Sequence, residues 1–195
     1  LNEFIKVQIE TIGHDMTEQT VSVQAVDIKL SQGAGSILGV SLDNPKPYTY
    51  PELFSLGEIT LDIDVGSLRD NPIIIDAVII KDPKVFVQFA KSGSSNIQDL
   101  LATVKKNLPE SESTNETADK ETTSAETPRI SITKIILAGT ALTVDLSTFG
   151  DKERTVTLTD ITLNNIGGEK GLPANELGGV IMKEALSAIW KKTKK

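Results

Sequence analysis

Apolar residues recur in this chain with two rhythms, one of helical spacing and one of strict alternation. Near the start, Leu1, Phe4, Ile5, Ile9 and Ile12 fall near helical spacing, with Glu3, Lys6 and Glu10 between them. This predicts an amphipathic helix over residues 1–15, ended by Gly13. From Val21 the period changes to two. Val21, Val23, Val26, Ile28 and Leu30 alternate with Ser22, Gln24, Asp27 and Lys29, and glycines at 33 and 35 separate this strand from one at 37–42. Asn44-Pro45-Lys46-Pro47 reads as loop, because two prolines remove donors that a ladder needs. Ile59, Leu61, Ile63 and Val65 then alternate with Glu58, Thr60, Asp62 and Asp64, giving a strand with one dry and one wet face. Further strands are predicted at 73–81, 85–89, 130–137, 141–146 and 156–163.

Two more helices carry their own signals. Ser95 and Gln98 have capping-box spacing ahead of an apolar stripe of Ile97, Leu100, Leu101, Val104 and Leu108, with Lys105 and Lys106 in the last turn and Pro109 as the stop. A final helix opens at Pro173-Ala174-Asn175 and carries Leu177, Val180, Ile181, Leu186, Ile189 and Trp190 before a run of lysines. The pair Gly178-Gly179 suits close helix packing.

An internal repeat sets the architecture. Ile73, Ile75, Val78, Ile80, Val85, Val87 and Phe89 align without gaps on Ile130, Ile132, Ile135, Leu137, Leu142, Val144 and Leu146. Each copy has two alternating apolar positions, one extra residue, then two more. The same break recurs in Val21, Val23, Val26, Ile28 and in Val156, Leu158, Ile161, Leu163. An extra residue keeps the apolar face only if the strand bulges or bends there. The prediction is therefore an α+β fold: a curled, mostly antiparallel sheet of about eight strands, built from bulged repeat hairpins and packed by two or three helices. Eight strands at roughly 4.8 Å make a sheet about 38 Å wide. Three helices of roughly 10 Å cover about 30 Å of it. The shortfall predicts an apolar groove on the dry face, with Ile59, Leu61, Ile63, Ile75, Val78, Ile80, Ile132, Ile135 and Leu137 as its candidate lining.

The 195 residues are 38% apolar and 24% charged, as in one globular domain spanning residues 1–195. Residues 109–127 hold six acids against Lys120 and almost nothing apolar. This segment reads as a disordered acidic loop, and it carries most of the net charge of −7. That acidity argues against nucleic acid as a partner. No cysteine is present, which excludes disulfides and thiolate chemistry together. The one histidine, His14, reads as a surface residue beside Asp15. Glu58, Asp62 and Asp64 share a strand face that reads as solvated rather than as a cation site. No phosphate loop and no arrangement of nucleophile with base is present, so the chain reads as no enzyme, with no cofactor or metal. Trp190 with Lys191, Lys192, Lys194 and Lys195 forms a candidate membrane-surface contact.

Several stretches resemble a known family. Leu42-Asp43-Asn44-Pro45, Leu56-Gly57-Glu58-Ile59, Ile79-Ile80-Lys81-Asp82-Pro83-Lys84-Val85, Gly93-Ser94-Ser95-Asn96-Ile97 and the 158–167 stretch from Leu158 to Gly167 are similar to the N-terminal module and small stand-alone members of AsmA-like bacterial envelope proteins. The resemblance implies a domain on the periplasmic side of the inner membrane, tethered by a helix preceding Leu1, with a relation to envelope lipid transport or maintenance. It supplies no catalytic residues. The expected function is a non-enzymatic envelope domain binding lipid or a partner protein on its sheet. The alternative is a structural module that assembles through sheet edges with itself or another protein.

Overall fold

The computed structural model describes residues 1–109 and 127–194. The expected acidic loop thus lies, but for its flanks, outside the described residues. Among the described residues there are three helices: α1 (Asn2–Thr17), α2 (Asn96–Asn107) and α3 (Ala174–Thr193). The strands are β1 (Val21–Lys29), β2 (Ala34–Asp43), β3 (Glu52–Ile63), β4 (Ile73–Lys81), β5 (Lys84–Gln88), β6 (Arg129–Ala138), β7 (Ala141–Asp145), β8 (Arg154–Thr157), β9 (Ile161–Ile166) and β10 (Leu172–Pro173). All ten belong to one sheet. The fold is α+β, but the sheet is mixed and has ten strands rather than about eight.

Pairing explains the difference. β4 and β5 do not form a hairpin. Both run antiparallel to β3 in one continuing register, from Glu58↔Lys81 to Phe54↔Val85, on either side of Asp82-Pro83. β6 and β7 are likewise collinear, and so are β8 and β9, which pair with them from Leu142↔Val156 to Leu137↔Ile161. The repeat copies lie beside each other in parallel, each residue of β4–β5 against the one 57 positions later: Ile73↔Ile130, Val78↔Ile135, Gln88↔Asp145. A parallel pair needs a long crossover, and the connection from Gln88 to Arg129, which contains α2, supplies it. The gapless repeat is thus the register of the central strand pair.

The extra residues fall on two lines across the sheet. The first crosses Gln24, Gly39, Gly57, Asp82, Gly139 and Thr159, which successive ladders place opposite one another. Gly39, Asp82 and Gly139 have φ of 64, 49 and 70°, where a side chain is ordinarily strained. The second line passes Gly33, Asp76 and Asn165, with a register shift between Asp62 and Ile63. Because neighbouring strands break together, the dry face survives each break. Val23 and Val26 are both buried, as are Ile132 and Ile135.

Collinear strands also change the width. Counted across, the sheet is six ribbons: β1, β2, β3, β4–β5, β6–β7 and β9–β8. At roughly 4.8 Å each they span about 29 Å, which three helices of roughly 10 Å cover. The core confirms this. One cluster joins Leu42, Val78, Val85, Ile135, Leu137 and Leu142 to Ile97, Leu100 and Val104 of α2 and Leu186 and Ile189 of α3. A second joins Val23, Val26, Val40 and Leu56 to Ile5 and Ile9 of α1. The outward-facing Leu38, Ile74, Ile79, Phe86 and Ile136 belong to neither. All three helices therefore pack on one face.

Local details follow from single residues. α1 does not stop at Gly13. A Cβ there would lie 2.7 Å from Val21 Cγ2, so the glycine permits close docking on β1, and the helix ends at Glu18 with φ 60°. α1 also shields the free edge of β1: the Val23 and Ile28 amides donate to Glu10 Oε2 and Asn2 Oδ1, each at 2.9 Å. The capping box of α2 forms as predicted, with Ser95 N donating to Gln98 Oε1 at 2.9 Å and Gln98 N to Ser95 Oγ at 3.1 Å. Gly179 lets α3 meet both other helices, since a Cβ there would lie 2.8 Å from Leu108 Cδ2 and from Met16 Sδ.

Candidate functional site

The sequence-predicted groove residues do share a face and do sit in adjacent rows. Ile59, Ile80 and Leu137 form one, Leu61, Val78 and Ile135 the next, and Ile63, Ile75 and Ile132 a third. They are core, not an open lining. Ile63, Val78, Ile132, Ile135 and Leu137 are buried, and Ile59, Leu61, Ile75 and Ile80 pack against the same clusters. The expected groove rested on a sheet about 38 Å wide, and with collinear strands that excess width is gone.

Trp190 is half-buried against Phe89, ring centroids 6.3 Å apart, and Phe89 in turn contacts Phe149 at 5.2 Å. Lys191 and Lys194 are exposed, Lys192 Nζ reaches Thr159 Oγ1 at 3.1 Å, and Lys195 lies outside the described residues. Phe149 escaped the sequence reading. It is 58% exposed, and only the packing of the 147–149 turn brings it against Phe89, which Trp190 also contacts.

A polar knot joins two of the motifs that carry the family resemblance. Asn96, fully buried at the start of α2, accepts from Gln88 N at 3.0 Å and donates to Phe86 O at 2.8 Å and Asn44 Oδ1 at 2.9 Å. Asn44 donates to Gln88 Oε1 at 3.0 Å and to Tyr50 O at 3.1 Å, and Gln88 Nε2 donates to Thr49 Oγ1 and Asp145 Oδ2. Asn44 and Asn96 are 52 positions apart, and no local pattern announces their meeting. Around the knot, Tyr48 donates to Asp99 Oδ2 at 2.6 Å and Tyr50 to Glu153. Burial, then the neighbouring carboxylate, pushes both phenols well above their ordinary range. Asp145 is held below the usual carboxylate range, first by the Ser147 amide and then by Gln88. These groups satisfy one another's hydrogen bonds. The knot fastens loop 44–51 to β5 and α2.

The remaining candidates disperse. Glu58 accepts from Ser36 Oγ at 3.4 Å, and Asp64 caps the turn at 65–67 by accepting from Gly66 N, so the three strand acids do not converge. Among the described residues, no group of three or more metal-ligating side chains is present. His14 Nδ1 lies 3.1 Å from Gln19 O, in an open depression of about 340 Å³ shared with Glu10, Thr11, Asp15, Thr20 and Val21.

Two surfaces stand out. On α1, Leu1, Phe4 and Val7 are 67%, 64% and 46% exposed, on the side away from Ile5 and Ile9. At the far edge of the sheet, β8 is exposed at all four positions. Among the described residues no helix is long and apolar enough to cross a membrane. Comparison of the chain with protein-family models, with curated proteins and with solved structures finds no match.

Proposed function

We propose that this chain is a non-enzymatic envelope domain of the AsmA-like kind, acting by contact with lipid or a partner protein on the periplasmic side of a bacterial inner membrane. The observation that carries the reading is the two-sidedness of α1. Its inner side is fixed by Ile5, Ile9, Asn2 and Glu10, while Leu1, Phe4 and Val7 face outward and are exposed. Exposed apolar residues at helical spacing, rimmed by Glu3 and Lys6, suit a covering membrane or protein surface. The buried dry face supports no lipid groove, so contact is made from outside. Native mass spectrometry of protein extracted from membranes, with pull-down of neighbours, tests this. Bound lipid or a reproducible partner is expected, and neither appearing would overturn it.

The second reading, assembly through a sheet edge, is favoured by the contrast between the two edges. α1 side chains occupy amides of β1, whereas β8 is exposed throughout. Light scattering over a concentration series decides it. Growth of an oligomer that Val156→Lys abolishes supports edge assembly, and a monomer at every concentration removes it.

A further inference from the structure

We propose that β8 is a dimerisation edge: it pairs antiparallel with β8 of a second copy, about a two-fold axis at Val156. This rests on the second reading above, assembly through a sheet edge, and names the partner and the register. β8 is bonded on one side, to β7, from Ala141↔Thr157 to Val144↔Arg154. Leu158 N donates to Thr140 O at 2.8 Å, which carries the same ladder one residue further. Bonded and non-bonded pairs alternate along an antiparallel ladder. Leu158 points its amide at β7, and so therefore do Val156 and Arg154. The N–H and C=O groups of Thr155 and Thr157 are left to the open side. All four β8 residues are exposed, and no proline or register shift blunts the strand.

An open edge of this kind is completed by another strand, and the molecule itself limits which. At the opposite edge, Glu10 and Asn2 of α1 already accept from the Val23 and Ile28 amides. A head-to-tail contact of β8 on β1 is thereby blocked. Two copies are left to meet through like edges, and such a contact is isologous and closes at two.

The edge also fits itself. Opposite residues of an antiparallel pair share a face, and the 154–158 ladder overlaps its copy fully when Val156 meets Val156. Thr155 then faces Thr157, and their open amides and carbonyls are exchanged across the axis, twice over. Val156 is 42% exposed although it stands in one row with buried Leu142, and it gains an apolar neighbour. The outer face gains Thr–Thr pairs beside the one already present, Thr143 Oγ1 to Thr155 Oγ1 at 3.0 Å. Arg154 falls opposite Leu158, and Glu153, which Tyr50 engages, opposite Thr159. Exposed Lys152 falls opposite exposed Asp160, which Gly139 N holds in place. The register thus opposes no like charges.

The chain has no cysteine, so one introduced thiol reports the register without background. The two copies of Val156 would form a non-bonded pair with Cα atoms about 4.5 Å apart, within disulfide reach. The two copies of Arg154 would be four residues out of step, roughly 13 Å, and beyond it. The test combines light scattering over a concentration series up to about 1 mM with oxidative cross-linking of Val156→Cys and, separately, Arg154→Cys. Expected are a reversible equilibrium that stops at two copies and at least about tenfold more disulfide dimer from Val156→Cys than from Arg154→Cys. Thr155→Pro removes an outward amide and leaves the bonds to β7 intact, so it should abolish association with unchanged circular dichroism. A monomer at every concentration overturns the proposal together with the edge reading, and so does association indifferent to Thr155→Pro. Association that Thr155→Pro abolishes, but that grows past two copies or cross-links Arg154→Cys as readily as Val156→Cys, overturns the two-fold pair and leaves the edge reading standing. If Thr155→Pro fails to fold, the cross-linking contrast decides alone.

Discussion

Thr140 offers a sharp test of the packing described above. It stands on the first line of breaks' inner side, in a row where the ladders place Val23, Val40, Leu56, Pro83, Thr140 and Leu158 next to one another. The residue is fully buried, and its Oγ1 has no hydrogen-bond partner among the described residues. Its backbone is in order, since Leu158 N donates to Thr140 O at 2.8 Å. An unsatisfied buried hydroxyl costs about 1–3 kcal/mol. Valine has nearly the same shape and favours extended backbone, so Thr140→Val should stabilise the fold by at least about 1 kcal/mol. For a domain of this size that is a rise in Tm of roughly 2–4 °C. Thr140→Ser keeps the hydroxyl and deletes a buried methyl, and should lose about 1 kcal/mol. Urea unfolding and differential scanning calorimetry measure both. A Thr140→Val variant that is less stable than the parent by 0.5 kcal/mol or more, roughly the scatter of neutral substitutions, would show that the hydroxyl is satisfied, and the argument would fail.

Further expectations concern the docking of α1 and the polar knot. Gly13→Ala places a methyl within 2.7 Å of Val21 Cγ2 and should cost about 1–3 kcal/mol of overpacking, largely recovered when Val21→Ala is added; a cycle of urea melts showing no recovery would refute the contact. Asn96→Ala strands the Gln88 amide, Phe86 O and Asn44 Oδ1 at once, so a loss above about 2 kcal/mol is expected, with faster hydrogen exchange across loop 44–51. Asp145 has its folded pKa lowered by the Ser147 amide and Gln88. Its contribution to stability is therefore present above the unfolded value near 4 and is lost as pH falls through the folded value. The stability difference between parent and Asp145→Asn, measured by urea melts, should be present at about pH 7 and shrink as the pH is lowered below the ordinary carboxylate value near 4. A gap that is independent of pH would sink that account.

Several elements were legible because their signals are local. The α2 capping box needs only Ser95 and Gln98, three residues apart, and the lysines ending α2 and α3 answer to the helix dipole. Alternation in residues 73–89 and 130–146 marks which side chains face inward, and the shared break marks where each strand must adjust. The same alternation fits a parallel or an antiparallel neighbour, and a hairpin or a straight continuation, so it reported neither. One clue to direction was present, since a helix stands between the two repeat copies, as a parallel crossover requires.

What the residues determined on their own, then, was the dry face, the positions of the helices and the 57-residue echo between Ile73 and Ile130. Tertiary structure alone decided that these copies lie side by side in parallel, that β4–β5 and β6–β7 run straight on past Asp82 and Gly139, and hence that the sheet is narrow enough for three helices to cover. It also brought Asn44, Gln88 and Asn96 into one knot and set Phe149 against Phe89. The physical reason is range. Capping and periodicity act over one turn or two residues and leave a trace in neighbouring letters, whereas pairing direction, sheet width and contacts across dozens of positions exist only once distant segments compete for the same space.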